Sequence, residues 1–496
     1  MRERTNGNLT GAFLPVAIFL VLLTIFRLWA MAHIELNSDE AYYWLWSRVP
    51  SAGYYDHPPM IAWWIWLSGN LLGPTELGVR LLPILSVLVA SVAVYGITVE
   101  LYDNVALAKR AAIWFNAMLL VSLEAIFATP DAPSIMLWAL AVWALARLRR
   151  TGNPHLWLVI GILAGAGCVA KYTNFFLGPG ILLWLLLDAR AARWRFSPWV
   201  LLGGLAAVAV FLPVLVWNAE HGWISFAKQF GRIADHHLLL SSFFQFLAGQ
   251  FGLMNPVIAI FAGLSVWYFW RKATERSSDP FVFLIALTVP MLAYLVIHSA
   301  HDRVHPNWPG PAYPTLAIAA ATAAKMGSGS IHLRRLQRWV APVGIGLSSL
   351  VLFYFAMPLG STFPWTSPAD TVLGWRDLTA AVEEKAGQSG AAWIATTDYG
   401  LTGELAFYLR GGLQVQSIVD RQRYSFDNPD RALLGKPALL VVRTQEGHLD
   451  QYLKCFGTAG PVEALSRHAG DRVIDGYSVI LVSGAAADLL SRGCQS

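Results

Sequence analysis

Over the first 357 residues the hydrophobic positions run together in blocks instead of alternating with polar ones. Eleven such blocks lie near 12–32, 79–100, 110–127, 133–148, 156–171, 174–188, 199–217, 252–270, 281–298, 310–324 and 339–357. At about 1.5 Å of rise per residue, blocks of this length cross a bilayer core of roughly 30 Å as helices. The pattern therefore predicts a polytopic α-helical membrane protein with about 11 transmembrane helices. The first block is long, lacks a small-x-small cleavage site before polar sequence and is followed by further spans, so it is expected to remain as an anchor. Beyond residue 357 the pattern changes. "GWRDLTAAVEEKAG" and "GLTGELAFYLRGG" have helical character, whereas "AAWIATTDY", "LQVQSIV", "ALLVVRT" and "YSVILVS" read as strands. Strands alternating with helices predict a small α/β domain over 358–496, behind a membrane domain of residues 1–357. Such a domain is either a lid or docking platform or a participant in chemistry. No 20–50-residue period repeats, which excludes a solenoid.

Composition supports the membrane reading: 56% of residues are hydrophobic and 14% charged, against about a quarter charged in soluble domains. The net charge of +5 is informative through its placement and calls for no nucleic-acid partner. With the N-terminus cytoplasmic, seventeen lysines and arginines fall on the inner side, among them Arg147, Arg149, Arg150, Arg334, Arg335 and Arg338. The opposite loops hold Arg48, Lys228, Arg232 and Arg303, with Lys171 at a helix edge. Loop lysine and arginine resist translocation, so this asymmetry sets the orientation, and an odd number of spans exports residues 358–496. Cys168 lies within a span. Cys455 and Cys494 lie in the exported tail, where a disulfide persists; sequence alone leaves their pairing open.

Acids, histidines, tryptophans and prolines gather on the exported side, in "NSDEAYYWLWSRVPSAGYYDHPPM", "ATPDAP", "AKYTN", "NAEHGWISFAKQFGRIADHH" and "HSAHDRVHPNWPGP". Loops on a rigid scaffold are where sites are built, so these five segments are expected to form one composite site. Asp39 and Glu40 admit two readings: helix capping, which suits carboxylates at a positive helix end, or a general base tuned by a poorly hydrated aromatic surround. Pro58 and Pro59 stiffen the backbone after Asp56 and His57. "IAWWIWL" is too short to span and suits the membrane interface. Asp131, between two prolines, reads as a helix cap or a site acid. Lys171 reads as a snorkelling residue or a phosphate contact. The many histidines and carboxylates, His221 among them, admit a divalent metal, though no HExxH-like spacing is present.

Taken together, the "DE" pair, "YYDHPPM", "TPDAP", "AKYT", "NWPGPAY" and "GELAFYL" resemble the bacterial membrane glycosyltransferases of the GT-C fold. The likeness is to the family 39/83 group, which holds protein O-mannosyltransferases and lipid A aminoarabinose transferases, and it covers essentially the whole chain. The resemblance implies a multi-pass protein of the bacterial inner membrane with a periplasmic C-terminal domain. It implies inverting transfer of a hexosyl, pentosyl or uronosyl group from a polyprenyl-phosphate donor to an acceptor at the periplasmic face. The acceptor is lipid A or core, another envelope lipid or glycan, or protein. The "DE" pair carries over as Asp39, the base, with Glu40 beside it, and Asp56 and His57 match an acidic-basic pair on the metal or phosphate side. The residues themselves add the rest. The carrier phosphate needs cationic donors placed beforehand, expected from Lys171, Arg232 and Arg303 with His57. Asp131 is expected as a further catalytic acid and His221, with Asp56, as a metal ligand. Trp63, Trp64, Trp66, Tyr54 and Tyr55 are expected to line a groove for the prenyl chain. The alternative classes are a carrier-linked sugar transporter or flippase, which would show ionisable groups near mid-span, and a non-catalytic glycan-assembly subunit.

Overall fold

The computed structural model describes residues 6–230, 239–273, 279–357 and 365–494. In chain order the helices are α1 (Asn6–Met31), α2 (Ser38–Arg48), α3 (Met60–Leu72), α4 (Glu76–Tyr102), α5 (Val105–Asn116), α6 (Leu119–Ile126), α7 (Asp131–Thr151), α8 (Leu156–Ala170), α9 (Leu177–Leu187), α10 (Pro198–Glu220), α11 (Ile224–Phe230), α12 (Leu240–Met254), α13 (Pro256–Ala273), α14 (Pro280–Ser299), α15 (Tyr313–Met326) and α16 (Ile331–Ala356). Then follow α17 (Trp375–Ser389), β1 (Trp393–Thr396), α18 (Tyr399–Tyr408), β2 (Gln414–Ser417), β3 (Ala438–Arg443), α19 (Leu449–Leu453), β4 (Phe456–Ala459), β5 (Glu463–Ala469), β6 (Arg472–Ala485) and α20 (Leu489–Arg492). Each of the eleven apolar blocks falls on helix. Among the described residues six helices are long and apolar enough to cross a membrane on their own, and two bent pairs, α5–α6 and α12–α13, bring the number to eight if each is one span.

The chain forms two compact units, one of Met1–Leu28, His57–Met60 and Leu82–Leu352, the other of Trp29–Asp56, Ile61–Leu81 and Phe353–Ser496. The first is a helical bundle around a core that includes Phe115, Trp138, Trp184 and Phe261. Glycine lets its helices touch backbone to backbone. A Cβ on Gly161 of α8 would fall 2.0 Å from the Gly203 carbonyl of α10, and one on Gly165 would fall 2.4 Å from that of Ala207. Small residues serve in this way between membrane helices, where lipid removes the hydrophobic drive for packing.

Where the sequence predicts one straight span over 110–127, the structure breaks it. α5 and α6 meet at 63°. The buried Arg27 guanidinium holds both sides of the break, donating to Asn116 Oδ1 and to Ser122 Oγ at 3.1 Å each. Asn116 in turn donates to Ser91 Oγ and Ala112 O. Broken helices persist in a membrane when neighbouring side chains satisfy the polar groups at the break.

The second unit carries a six-stranded sheet of order β2-β1-β3-β6-β4, with β5 also on β6. β1 lies parallel to β2 and to β3, whereas β6 is antiparallel to its neighbours. α17 and α18 cover one sheet face through Trp375, Leu378, Val382, Leu401 and Leu405. α2 and α3 belong to the same unit because α18 lies on α2: a Cβ on Gly403 would be 2.8 Å from the backbone of Ala41 and Tyr42, and one on Gly400 would be 2.6 Å from Ser38 Cβ. Cys455 and Cys494 form a disulfide, Cα to Cα 5.9 Å, and Cys168 is free and buried.

Candidate active site

The loop before α2 determines how its acids are presented. Asn37 caps the helix, accepting from the backbone N–H of Asp39 and Glu40, while Glu40 accepts from the Asn37 N–H. This closed capping box turns Asp39 and Glu40 in different directions. Glu40 is fully buried against Arg80 of α4: Nε donates to Oε1 at 2.7 Å and Nη2 to Oε2 at 2.6 Å. Arg80 also donates to the carbonyls of Met31, Ile34 and Glu35. All five N–H bonds of a guanidinium are thereby used, which ties the 31–40 loop to α4. Glu40 was expected to act in catalysis beside Asp39; here its carboxylate is buried in an ion pair with Arg80.

Asp39 stands differently. It reaches solvent, and its Oδ1 accepts a 2.9 Å hydrogen bond from the Tyr399 hydroxyl at the start of α18. Loss of hydration among the surrounding atoms, followed by the charges of Asp56 and Glu40, raises its carboxyl above the ordinary carboxylate range. The Tyr399 bond and the Arg423 charge oppose that rise. Arg423 donates to Asp56 Oδ2 at 2.7 Å and lies over the rings of Tyr399, Tyr55 and Tyr42 at 4.7, 5.7 and 6.0 Å from their centres. The Tyr42 hydroxyl is 3.1 Å from Asp56 Oδ2 and 3.0 Å from the Arg423 carbonyl. Tyr399 follows the carboxyl end of β1, and Arg423 sits in the turn after β2. Such loops beyond the carboxyl ends of parallel strands are where α/β sheets place functional groups. The C-terminal region thus touches the acids of the first loop directly.

Within the helical unit, three other motifs meet. Lys171 Nζ lies 2.7 Å from each oxygen of Asp131, and Asn307 Nδ2 donates to Asp131 Oδ2 at 2.9 Å. Asp131 is not the cap of α7: Pro130 holds that position, and Thr129 Oγ1 accepts from the Asp131 N–H. The pair is buried, with Asp131 2% and Lys171 7% exposed. Lys171 was expected to meet the donor phosphate and Asp131 to take part in catalysis; in this structure the two are ion-paired with each other. A buried ion pair holds its partners where removal of either leaves an uncompensated charge.

Arg303 is exposed and His57 half-buried. Arg232, with Asp235, His236 and His237, lies outside the described residues. For the metal expectation, Asp56 is bound by Arg423 and Tyr42, while His221 stacks on Trp217 and donates from Nδ1 to its carbonyl at 2.7 Å. Among the described residues no three His, Cys, Asp or Glu gather around a metal position. The expected prenyl groove loses one member. Tyr54 is fully buried, stacked on Trp46 with its hydroxyl on the carbonyls of Trp46 and Val49, so it is core. Trp63 and Trp64 are half-buried and Trp66 is exposed.

The family model described as dolichyl-phosphate-mannose-protein mannosyltransferase matches residues 56–217. The chain is 27% identical over 409 residues to lipid A galacturonosyltransferase RgtD of Rhizobium johnstonii, covering 79% of this chain and 82% of that protein. It is 23% identical over 315 residues to undecaprenyl phosphate-alpha-4-amino-4-deoxy-L-arabinose arabinosyl transferase 2 of Proteus mirabilis, covering 58% of this chain and 55% of that one. ArnT from Cupriavidus metallidurans, solved bound to undecaprenyl phosphate, matches the structure with a TM-score of 0.69 at 16% identity, over 97% of this chain and 100% of that one. The chain has the GT-C fold, and the relatives that it matches are membrane glycosyltransferases. Tyr399, Arg423 and Arg80 are the members of the Asp39 cluster that sequence reasoning did not find. A strand followed by the helix-capping "TDYG" was a signal for Tyr399; nothing local marked Arg423.

Proposed function

We propose that the chain transfers a sugar from a polyprenyl-phosphate carrier to a hydroxyl of an envelope lipid of the lipid A class, at the periplasmic face of the inner membrane. Asp39 carries this reading: it is a solvent-reaching carboxylate of raised proton affinity, positioned by Tyr399 and set beside the Asp56–Arg423 pair. It accepts the proton of the acceptor hydroxyl as that oxygen attacks the anomeric carbon. The bond from that carbon to the carrier phosphate breaks, the electron pair leaves with the phosphate, and the configuration inverts. Asp39 then returns its proton to water. A base matched to its task sits closer to neutral pH than an ordinary carboxylate does. The leaving phosphate needs cationic donors placed beforehand, and the Trp63–Trp66 face of α3 is assigned to the prenyl chain. The relatives support transfer over transport, since those named above are themselves glycosyltransferases.

The test is Asp39→Asn in membranes supplied with the lipid-linked donor, read by mass spectrometry of lipid A and core. Transfer is expected to fall by at least 100-fold, with folding and undecaprenyl phosphate binding retained. Undiminished transfer by Asp39→Asn would remove the base from this assignment.

A further inference from the structure

α18 carries an acid for which the Asp39 cluster has no use. Glu404 is completely buried, and neither carboxyl oxygen has a hydrogen-bond partner among the described residues. The residue before it, Gly403, presses on the backbone of α2. The charged and titratable groups acting on Glu404 come from several elements: Glu40 on α2, Glu35 in the loop before it, Arg80 on α4 and Arg467 on β5, with Tyr408 on its own helix. β1 and β2 contribute none. Arg376 of α17 is bound to Glu76 and Glu35. Burial, then the charges of Glu40 and Glu35, raises the Glu404 carboxyl well above the ordinary carboxylate range.

Neither nearby cation bonds it as the site stands. Arg467, whose charge acts on it more strongly than that of Arg80, donates to Asp475 Oδ2 and to the carbonyls of Asp370 and Leu373. The five N–H bonds of Arg80 are all in use, two on Glu40 and three on the carbonyls of Met31, Ile34 and Glu35. The Arg80 guanidinium therefore faces two buried acids while bonding only Glu40. A buried carboxylate without partners is far costlier than the neutral acid. We propose that Glu404 is a positioning residue carried as the neutral acid. While it keeps its proton, Arg80 stays on Glu40 and the loop that presents Asp39 is fixed. Loss of the proton to water creates a second carboxylate that draws Arg80 away and loosens that loop. The neutral acid and the strut it protects are independent of any sugar chemistry; only the consequence for transfer rests on Asp39 as base.

The sign follows from the raised proton affinity. Stability from this group is complete below the ordinary carboxylate range and declines as pH rises through the shifted value. The experiment compares the full-length chain, purified in detergent, with Glu404→Gln and Glu404→Met. The wild-type thermal midpoint is expected to fall by about 2 °C per pH unit above the ordinary carboxylate range, and both variants to lose that slope. Infrared spectra of the wild type at neutral pH should contain the carbonyl stretch of a protonated carboxyl that Glu404→Gln lacks. An unchanged slope with the band retained in Glu404→Gln would overturn the proposal. So would failure of both variants to fold at every pH, since a neutral side chain of this length is what the site is said to hold. Neither readout requires donor or acceptor, so failure here is separable from failure of the Asp39 assignment.

Discussion

On α2 the step of roughly 100° between successive residues turns Asp39 to solvent and Glu40 into its buried contact with Arg80. The two carboxylates therefore answer to different measurements. Glu40→Gln leaves the Arg80 charge buried without its anion and is expected to cost about 3–5 kcal/mol in thermal or denaturant unfolding. Asp39→Asn, at a solvent-facing position, should stay within about 0.5 kcal/mol of wild type while abolishing transfer. Tyr399→Phe separates positioning from chemistry. The hydroxyl bonds the charged form of Asp39 and so favours it; its removal raises the carboxyl further. The acid limb of a kcat/KM profile, where Asp39 must be ionised, should therefore move to higher pH, and an unmoved limb would deny Tyr399 this role. At this scale the sequence was legible only in part. "NSDE" displayed its acids but not which one was committed, because Arg80 is 40 residues away and Tyr399 and Arg423 lie beyond residue 390. Sequence patterns report neighbours along the chain, and these partners are brought in by tertiary packing.

The glycines of α8, α10 and α18 act at the scale of elements, where a single Cβ decides whether two helices can touch. At Gly403 the added carbon would meet the Ala41 and Tyr42 backbone at 2.8 Å, whereas at Gly387 on α17 it would meet nothing within 4 Å. Gly403→Ala should therefore lower the thermal midpoint, by an overpacking penalty of about 1–3 kcal/mol. Gly387→Ala should leave it unchanged or raise it, because alanine favours a helix interior by roughly 0.5–1 kcal/mol. If both substitutions shift the midpoint alike, the α2–α18 contact is not the determinant. The same scale explains what the pattern foretold and what it missed. Every apolar block is helical because a run of that length has no other way to satisfy its backbone in lipid. The break between α5 and α6 left no mark in "FNAMLLVSLEAIF", because it is held by Arg27 from 89 residues earlier. β4 and β5 were passed over since both are largely exposed partners of β6, and neither "FGTA" nor "EALSRHA" alternates apolar with polar residues.

Sidedness is a property of the whole molecule, and the Cys455–Cys494 disulfide gives it a chemical readout. The cross-link spans a sequence separation of 39 and joins segments around the core of Leu440, Ile480 and Leu489. Closing a loop of that size in the unfolded chain is worth about 4 kcal/mol. Such a bond is stable in the periplasm and is reduced in the cytosol. The basic loops argue for a cytoplasmic N-terminus and an exported tail, so the state of these two cysteines tests that argument. Cells are quenched with acid, denatured and treated with a large maleimide that adds visible mass to each free thiol. A single addition, at Cys168, is expected before reduction and three after it. Cys455→Ser should give two additions without reductant, through the released Cys494, and a lower thermal midpoint of the purified chain. Three additions to the wild type before reduction would place the tail in a reducing compartment, reversing the orientation read from the charges and moving the Asp39 cluster to the cytoplasmic face.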